Sequence, residues 1–245
     1  MFDLSGKTAL VTGAGQNMGA GIARTLAGQG AHVLVNDLLA ERADEIAAEI
    51  VSGGGSAAGL AFDVTDLGAV SAATEGHRID ILVNNAGNGG AEGMRPTKFA
   101  DMDPSDWDGP IEVNLRGVMN TCHAVVNGMI ERSWGRIITI SSGAGASGVG
   151  IGVAPYSAGK GGGLGFMRSL ALEIAATGVT ANSVALGLMN NAGGSDITAA
   201  LAKSVPVKRL GTPDDVGAIC AYLASEEASW LTAQTINLNG GSITS

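Results

Sequence analysis

The sequence predicts an α/β fold, a doubly wound parallel sheet with helices on both faces, and two observations carry that expectation. Short apolar runs alternate with helical stretches along all 245 residues, the spacing of strands joined by crossover helices. The first run, Thr8-Ala9-Leu10-Val11, ends in the turn Thr12-Gly13-Ala14-Gly15-Gln16-Asn17-Met18-Gly19 before a helix over Ala20 to Ala27. Strand, glycine-rich turn and helix present backbone N–H groups and a helix N-terminus to a phosphate.

The second strand, His32 to Asn36, ends at Asp37, about 20 residues beyond the turn, where a carboxylate can hold an adenosine ribose. No Arg or Lys follows before Arg42, and a carboxylate repels a 2′-phosphate, so NAD is expected over NADP. Glu41 to Val51 reads as a helix stopped by Gly53-Gly54-Gly55. A strand is expected over Gly59 to Asp63, with Asp63-Val64 at the carboxyl end, where open parallel sheets bind ligands. A short helix over Asp66 to Glu75 and a strand over Ile79 to Val83 lead to Asn84-Asn85-Ala86-Gly87. Asn88 to Pro110 is irregular, with Trp107 read as packing.

Ile111 to Ile130 is a long helix carrying Asn114 in an otherwise apolar-faced segment, and Gly135 to Ser142 is the next strand. Ser142 ends it on the same sheet edge as the glycine turn. A helix runs to about Thr177, followed by a strand over Val179 to Leu186 and a lid expected over 187–205. Thr212-Pro213-Asp214-Asp215 opens a capped helix, and Thr235 to Leu238 is the last strand. With no linker, internal repeat or low-complexity stretch, residues 1–245 read as one domain of Rossmann type.

The 39 glycines suit tight turns and close backbone approach to a ligand. A net charge of −9 without a basic run excludes nucleic acid and acidic membrane surfaces as expected partners. The N-terminal residues lack a signal-peptide pattern and no apolar run is long enough to span a bilayer, so a cytoplasmic protein is expected. Cys122 and Cys220 lie far apart, and His32, His77 and His123 show no ligand spacing, so no disulfide framework or metal site is expected.

Tyr156-Ser157-Ala158-Gly159-Lys160 places a phenol and an ammonium four residues apart, on one helix face. A phenol titrates near 10, so a base at working pH needs a fall of roughly three units, about 4 kcal/mol. An ammonium at about 4 Å contributes about 1 kcal/mol in water but about 4 kcal/mol at an effective dielectric near 20. The pair therefore requires a site that excludes most water, where the cation outweighs the desolvation that raises the phenol's pKa.

Thr12-Gly13 with Gly19, Asp37, Asp63-Val64, Asn84-Asn85-Ala86-Gly87, Asn114, Ser142, Tyr156-x-x-x-Lys160 and the closing Asn239-Gly240-Gly241 together resemble the short-chain dehydrogenase/reductase family over essentially the whole chain. The resemblance implies that Tyr156 exchanges a proton with the substrate oxygen and Ser142 hydrogen-bonds that oxygen. Lys160 holds the nicotinamide ribose while lowering the Tyr156 pKa, and Asn114 anchors a relay water. Gly13, Gln16, Asn17, Met18 and Gly19 cradle the pyrophosphate, Asp37 takes the ribose, and Asp63 and Val64 the adenine. Asn85, Ala86 and Gly87 border the dinucleotide, and Gly187 to Met189 the nicotinamide. A homotetramer is implied, built on the helices at Ile111–Ile130 and Tyr156–Thr177.

Three departures from the family pattern stand out. Asn17 replaces a glycine and is the non-glycine residue best able to take positive φ, so a preserved turn is expected. Leu186 replaces a proline, and Asn191 falls where a threonine commonly contacts the carboxamide.

The leading expectation is NAD-dependent interconversion of a secondary alcohol and a ketone. Ala144, Ala146, Val149, Ile151 and Val153 point to a small or alicyclic apolar substrate. One alternative is a 3-oxoacyl thioester reductase, for which Arg132, Arg136 and Arg168 could meet an acidic carrier protein. Another is a dinucleotide-binding sensor or subunit without turnover.

Overall fold

The computed structural model describes residues 1–87, 96–190 and 196–243. Within them β1 (Thr8–Val11), β2 (His32–Val35), β3 (Ser56–Gly59), β4 (Ile81–Asn84), β5 (Gly135–Ser142), β6 (Val179–Leu186) and β7 (Thr235–Leu238) form one sheet. Its order is β3-β2-β1-β4-β5-β6-β7, with every neighbouring pair parallel. The chain winds outward from β1 to β3, then returns beside β1 as β4 and proceeds the other way. The helix Asn17–Gly28, which follows β1, packs on one face and the helix Gly117–Glu131, which follows β4, on the other, the arrangement that leaves a crevice at the carboxyl ends of these strands.

The helices are α1 (Asn17–Gly28), α2 (Ala40–Ser52), α3 (Leu67–Thr74), α4 (Asp108–Ile111), α5 (Gly117–Glu131), α6 (Gly143–Ala146), α7 (Ala154–Ile174), α8 (Asp196–Ser204) and α9 (Pro213–Ala224). Period-two alternation along the strands divides the core. Ala9, Val11, Val33, Val35, Ile81, Val83, Ile138 and Ile140 join a cluster with residues of α1, α2 and α9. Leu10, Leu34, Leu82 and Ile137 join the opposite cluster, with residues of α3, α5 and α7. Both sheet faces are covered, which explains why the strands read as continuous apolar runs.

α1 starts at Asn17 where a helix is expected from Ala20, β4 runs over Ile81–Asn84 where a strand is expected over Ile79 to Val83, and two further elements differ more. The third strand is Ser56–Gly59, not Gly59–Asp63. Its ladder with β2 ends at Val35↔Gly59, and the apolar stretch beyond leaves the sheet, burying Phe62 and Val64 against the opposite core. Hydrophobicity alone could not separate a strand from a buried connecting segment. The helix expected over Ile111 to Ile130 begins earlier, at Asp108, and is interrupted by a π turn over Glu112–Arg116 that contains Asn114. Strands β5, β6 and β7 have the expected bounds.

α7 carries glycines at 159, 161, 162, 163 and 165, an unfavourable composition for a helix interior. Close packing explains four of them: a β-carbon on Gly161 would lie 3.2 Å from the Gly145 carbonyl oxygen. A β-carbon on Gly159 would lie 2.7 Å from the Pro110 carbonyl oxygen, one on Gly162 3.0 Å from Leu115, and one on Gly163 3.3 Å from the Asn114 carbonyl oxygen. The bare face lets the π turn sit directly on α7. Among the described residues no helix is long and apolar enough to cross a membrane.

Candidate active site

The glycine turn is tied to the end of β4 by reciprocal hydrogen bonds. The Thr12 hydroxyl accepts from the Asn85 and Ala86 N–H groups at 3.1 and 3.0 Å, while the Asn85 amide donates to the Thr12 and Gly13 carbonyls at 3.0 and 2.9 Å. Gly13 has φ 59° and Asn17 φ 50°, so Asn17 occupies the left-handed region expected of it. Close approach makes two glycines obligatory: a β-carbon on Gly13 would lie 2.8 Å from the Ala86 Cα, and one on Gly19 2.2 Å from the Gly13 carbonyl oxygen. No side chain caps α1, leaving its first N–H groups to face the crevice.

Asp37, at the end of β2, is buried, and its two carboxylate oxygens accept from the Gly15 and Leu39 N–H groups at 3.2 and 3.1 Å. A β-carbon on Gly15 would meet both the Arg42 Cβ, at 2.6 Å, and Asp37 Oδ2, at 2.7 Å, so Arg42 rises beside the carboxylate. Asn36 donates to the carbonyls of Leu60 and Phe62 at 3.0 Å each, and Asn120 donates to the Val64 and Thr65 carbonyls at 2.9 and 3.1 Å. These two amides, with backbone bonds from Leu60 to Val35 and from Phe62 to Asp37, shape the segment around Asp63 and Val64.

On the other side, Ser142 ends β5, its hydroxyl accepting from the Ala144 N–H at 3.2 Å and acting to lower the Tyr156 pKa. Lys160, one turn beyond Tyr156 on α7, is buried, and its Nζ donates to the Ile140 carbonyl at 2.8 Å. A β-carbon on Gly87 would lie 2.7 Å from both Lys160 Nζ and Asn114 Oδ1, so the amine and the amide oxygen converge across that glycine. The Asn114 amide donates to the Pro110 carbonyl at 2.8 Å.

Electrostatics correct one expectation. Burial pushes the Tyr156 phenol above its ordinary value, with the Ser142 hydrogen bond acting against it. Burial also draws Lys160 down to about 8. In the protein alone, therefore, desolvation is the largest effect on the Tyr156 phenol, and the buried Lys160 amine is committed to the Ile140 carbonyl.

These groups line one cleft of about 1150 Å³. Gly13, Gln16, Asn17, Met18, Gly19, Asp37, Asp63, Val64, Asn85, Ala86, Gly87, Ser142, Tyr156, Lys160, Gly187 and Met189 all border it. Asn114 stands behind the wall and is buried. Sequence reasoning passed over Asn36, Arg42 and Ile140 as lining residues, while Leu188 falls inside the expected Gly187 to Met189 stretch. A buried-strand asparagine was the available signal for Asn36; the others have none, since their place depends on loop paths. Asn191 and residues 191–195 of the expected lid lie outside the described residues.

The fit to a dinucleotide rests on the tight glycine turn packed closely at Gly13 and Gly19, the N-terminus of α1 without a side-chain cap and the anchored Asp37 carboxylate. Arg136, offered above for an acidic carrier, is 1% exposed and held by Ser225 and Glu226, at the opposite end of β5 from Ser142. Arg132 donates to the Ile79 carbonyl at 2.7 Å and lies 3.5 Å from Asp80. Of the three arginines, the structure leaves only Arg168 exposed.

A parallel sheet with a crevice that joins a glycine turn and helix N-terminus to the Ser142, Tyr156 and Lys160 cluster is the architecture of a class of α/β oxidoreductase. Residues 7–201 match the short chain dehydrogenase family, and the chain belongs to it. It is 41% identical to Nodulation protein G of Azospirillum brasilense over 252 residues, covering 97% of this chain and 98% of that relative. Among solved structures it superposes on a gluconate 5-dehydrogenase from Burkholderia cenocepacia J2315 in complex with NADP and tartrate, with TM-score 0.89 and 32% identity over 98% of this chain and 96% of that one. A 3-oxoacyl-[acyl-carrier protein] reductase with bound NAD from Brucella melitensis gives TM-score 0.92 and 32% identity over 99% of this chain and 94% of that one.

Proposed function

We propose that the protein is an NAD-dependent oxidoreductase interconverting a secondary alcohol and a ketone, acting on a small or alicyclic apolar substrate. The observation that carries this reading is the shared cleft, in which Ser142, Tyr156 and Lys160 meet the glycine turn and Asp37. A nicotinamide dinucleotide, when bound, accepts or donates the hydride. Gly13, Gln16, Asn17, Met18 and Gly19 hold its phosphates, Asp37 the adenosine ribose, and Asp63 and Val64 the adenine. Asn85, Ala86, Gly87, Gly187 and Met189 border the remainder. Tyr156 passes the proton to or from the substrate oxygen, Ser142 hydrogen-bonds that oxygen, Lys160 presents its amine to the ribose, and Asn114 orients a relay water behind Gly87.

Apolar side chains support the substrate class: Ile151, Leu186, Leu188 and Met189 line the cleft, and its described cations are Arg42 and Lys160. Gly187 to Val205 is read as a lid, its first part held where Met189 bridges to Gly211. Exposed Met119 on α5 and Leu172 on α7 support a homotetramer, which light scattering on the eluting protein tests.

Purified protein given NAD⁺ and a panel of alcohols is expected to form NADH, and Tyr156→Phe to lose at least about 10²-fold in rate. Full activity in that variant removes the mechanism. Likeness to the Brucella reductase favours a second reading, a 3-oxoacyl thioester reductase. Faster turnover of acetoacetyl thioesters with NADPH than of any simple ketone would establish it.

A further inference from the structure

We propose that Asn36 is a positioning residue for the adenosine half of the dinucleotide, one buried carboxamide holding the glycine turn and the adenine wall in a common register. The inference rests on the dinucleotide reading above. Asn36 is 1% exposed and follows directly on β2, where a buried parallel strand favours a β-branched apolar residue. A carboxamide there is costly unless its donors and acceptor are matched. They are: Oδ1 accepts from the Gly13 N–H at 3.3 Å, and Nδ2 donates to the Leu60 and Phe62 carbonyls at 3.0 Å each. The Asn36 backbone carbonyl accepts from the Ala14 N–H at 2.6 Å, adding a second tie to the turn.

The partners belong to separate segments that border one end of the cleft. Gly13 lies in the turn, Asp37 is the next residue in the chain, and Phe62 opens the wall that continues into Asp63 and Val64. The sheet ladder between β2 and β3 stops at Val35 and Gly59. Beyond it, backbone bonds from Leu60 to Val35 and from Phe62 to Asp37 remain, and among the described residues the Asn36 side chain alone hydrogen-bonds to both the wall and Gly13. Tyr156, Ser142 and Lys160 sit on α7 and β5 and share none of these bonds. Loss of the carboxamide therefore loosens adenosine recognition while leaving the proton-transfer groups in place.

Equilibrium titration of ADP-ribose and of NADH tests this with wild type, Asn36→Ala, Asn36→Ser and a core control, Ile137→Val. ADP-ribose is expected to bind at least tenfold more weakly to Asn36→Ala, with Asn36→Ser, which keeps one hydroxyl donor, in between. Ile137→Val is expected to bind as wild type does, although its melting temperature falls. At saturating cofactor kcat is expected to stay within twofold in the Asn36 variants while KM for the cofactor rises. Unchanged ADP-ribose affinity in Asn36→Ala, or equal weakening in Ile137→Val, would overturn the inference. If wild type binds neither ligand, the dinucleotide reading itself fails. Should the Asn36 variants not fold, amide hydrogen exchange on wild type decides: ADP-ribose is expected to protect Gly13–Gly15 and Leu60–Val64 together, and protection of one segment alone overturns the proposal.

Discussion

Lys160 Nζ donates to the Ile140 carbonyl oxygen at 2.8 Å, which binds the middle of the Tyr156 helix to the strand that ends in Ser142. The bond holds the amine in a dry position, and burial lowers its pKa from 10.5 to about 8. Below pH 8 folded and unfolded chains both carry the proton, so folding bears the whole cost of burying the charge. Between about 8 and 10.5 the folded chain sheds it first, and stability from this group rises with pH. Lys160→Met removes that dependence. Wild type is expected to gain about 3 kcal/mol of stability relative to this variant between pH 7 and pH 10.5, since each pH unit separating the folded and unfolded pKa values is worth about 1.4 kcal/mol. Urea titrations of both proteins across that range measure it.

The Asp37 carboxylate and the Cβ of Arg42 both stand against Gly15, and the two residues are expected to act in opposite directions on cofactor choice. Asp37→Ser removes the repulsion toward a 2′-phosphate and is expected to improve NADPH affinity by about tenfold or more, equivalent to about 1.4 kcal/mol, while weakening NADH. Arg42→Ala is expected to weaken NADPH and leave NADH unchanged. Fluorescence titration of the reduced cofactors checks both, and an unaltered NADH to NADPH ratio in Asp37→Ser contradicts the assignment.

Asn17 holds φ 50° at the start of α1. Asn17→Gly is expected to keep stability within about 0.5 kcal/mol and Asn17→Val to cost about 1–2 kcal/mol, since a β-branched residue resists the left-handed region. Chemical denaturation compares them, and equal stability of the two variants would show the turn to be unstrained.

Two glycines of α7 are expected to respond in opposite directions to alanine. At Gly165 the nearest atom to an added β-carbon is the Arg168 guanidinium at 4.0 Å, so Gly165→Ala gains about 0.5–1 kcal/mol of helix preference. At Gly159 the Pro110 carbonyl oxygen stands 2.7 Å away, and Gly159→Ala is expected to lose about 1–3 kcal/mol as α4 is pushed off. Thermal unfolding of the pair separates backbone preference from packing, and loss of stability in both contradicts this account.

Local pattern made much of the fold legible. Gly135–Ser142 and Val179–Leu186 are long, apolar and bounded by glycines, so their ends coincide with expectation. Gly59 to Asp63 looked equally strand-like, yet Asn36 takes up the carbonyls of Leu60 and Phe62, and the segment becomes a wall of the cleft. No local periodicity reports a bond between residues 24 and 26 positions apart. The π turn around Asn114 was hidden for a similar reason: an extra residue in one turn shows only when the glycine face of α7 is seen against it.

By itself the sequence determined which chemical groups the chain carries and how they are spaced along helix and strand: a glycine turn, an acid about 20 residues on, and Tyr156 one helical turn from Lys160. Such spacings survive any change in the rest of the molecule, because they follow from the geometry of one element. Tertiary structure decided the electrostatics. Whether Lys160 lowers or fails to lower the Tyr156 pKa depends on how much water each group loses and on the Ile140 carbonyl that receives the amine, and these are set by contacts between elements that no single stretch of sequence contains.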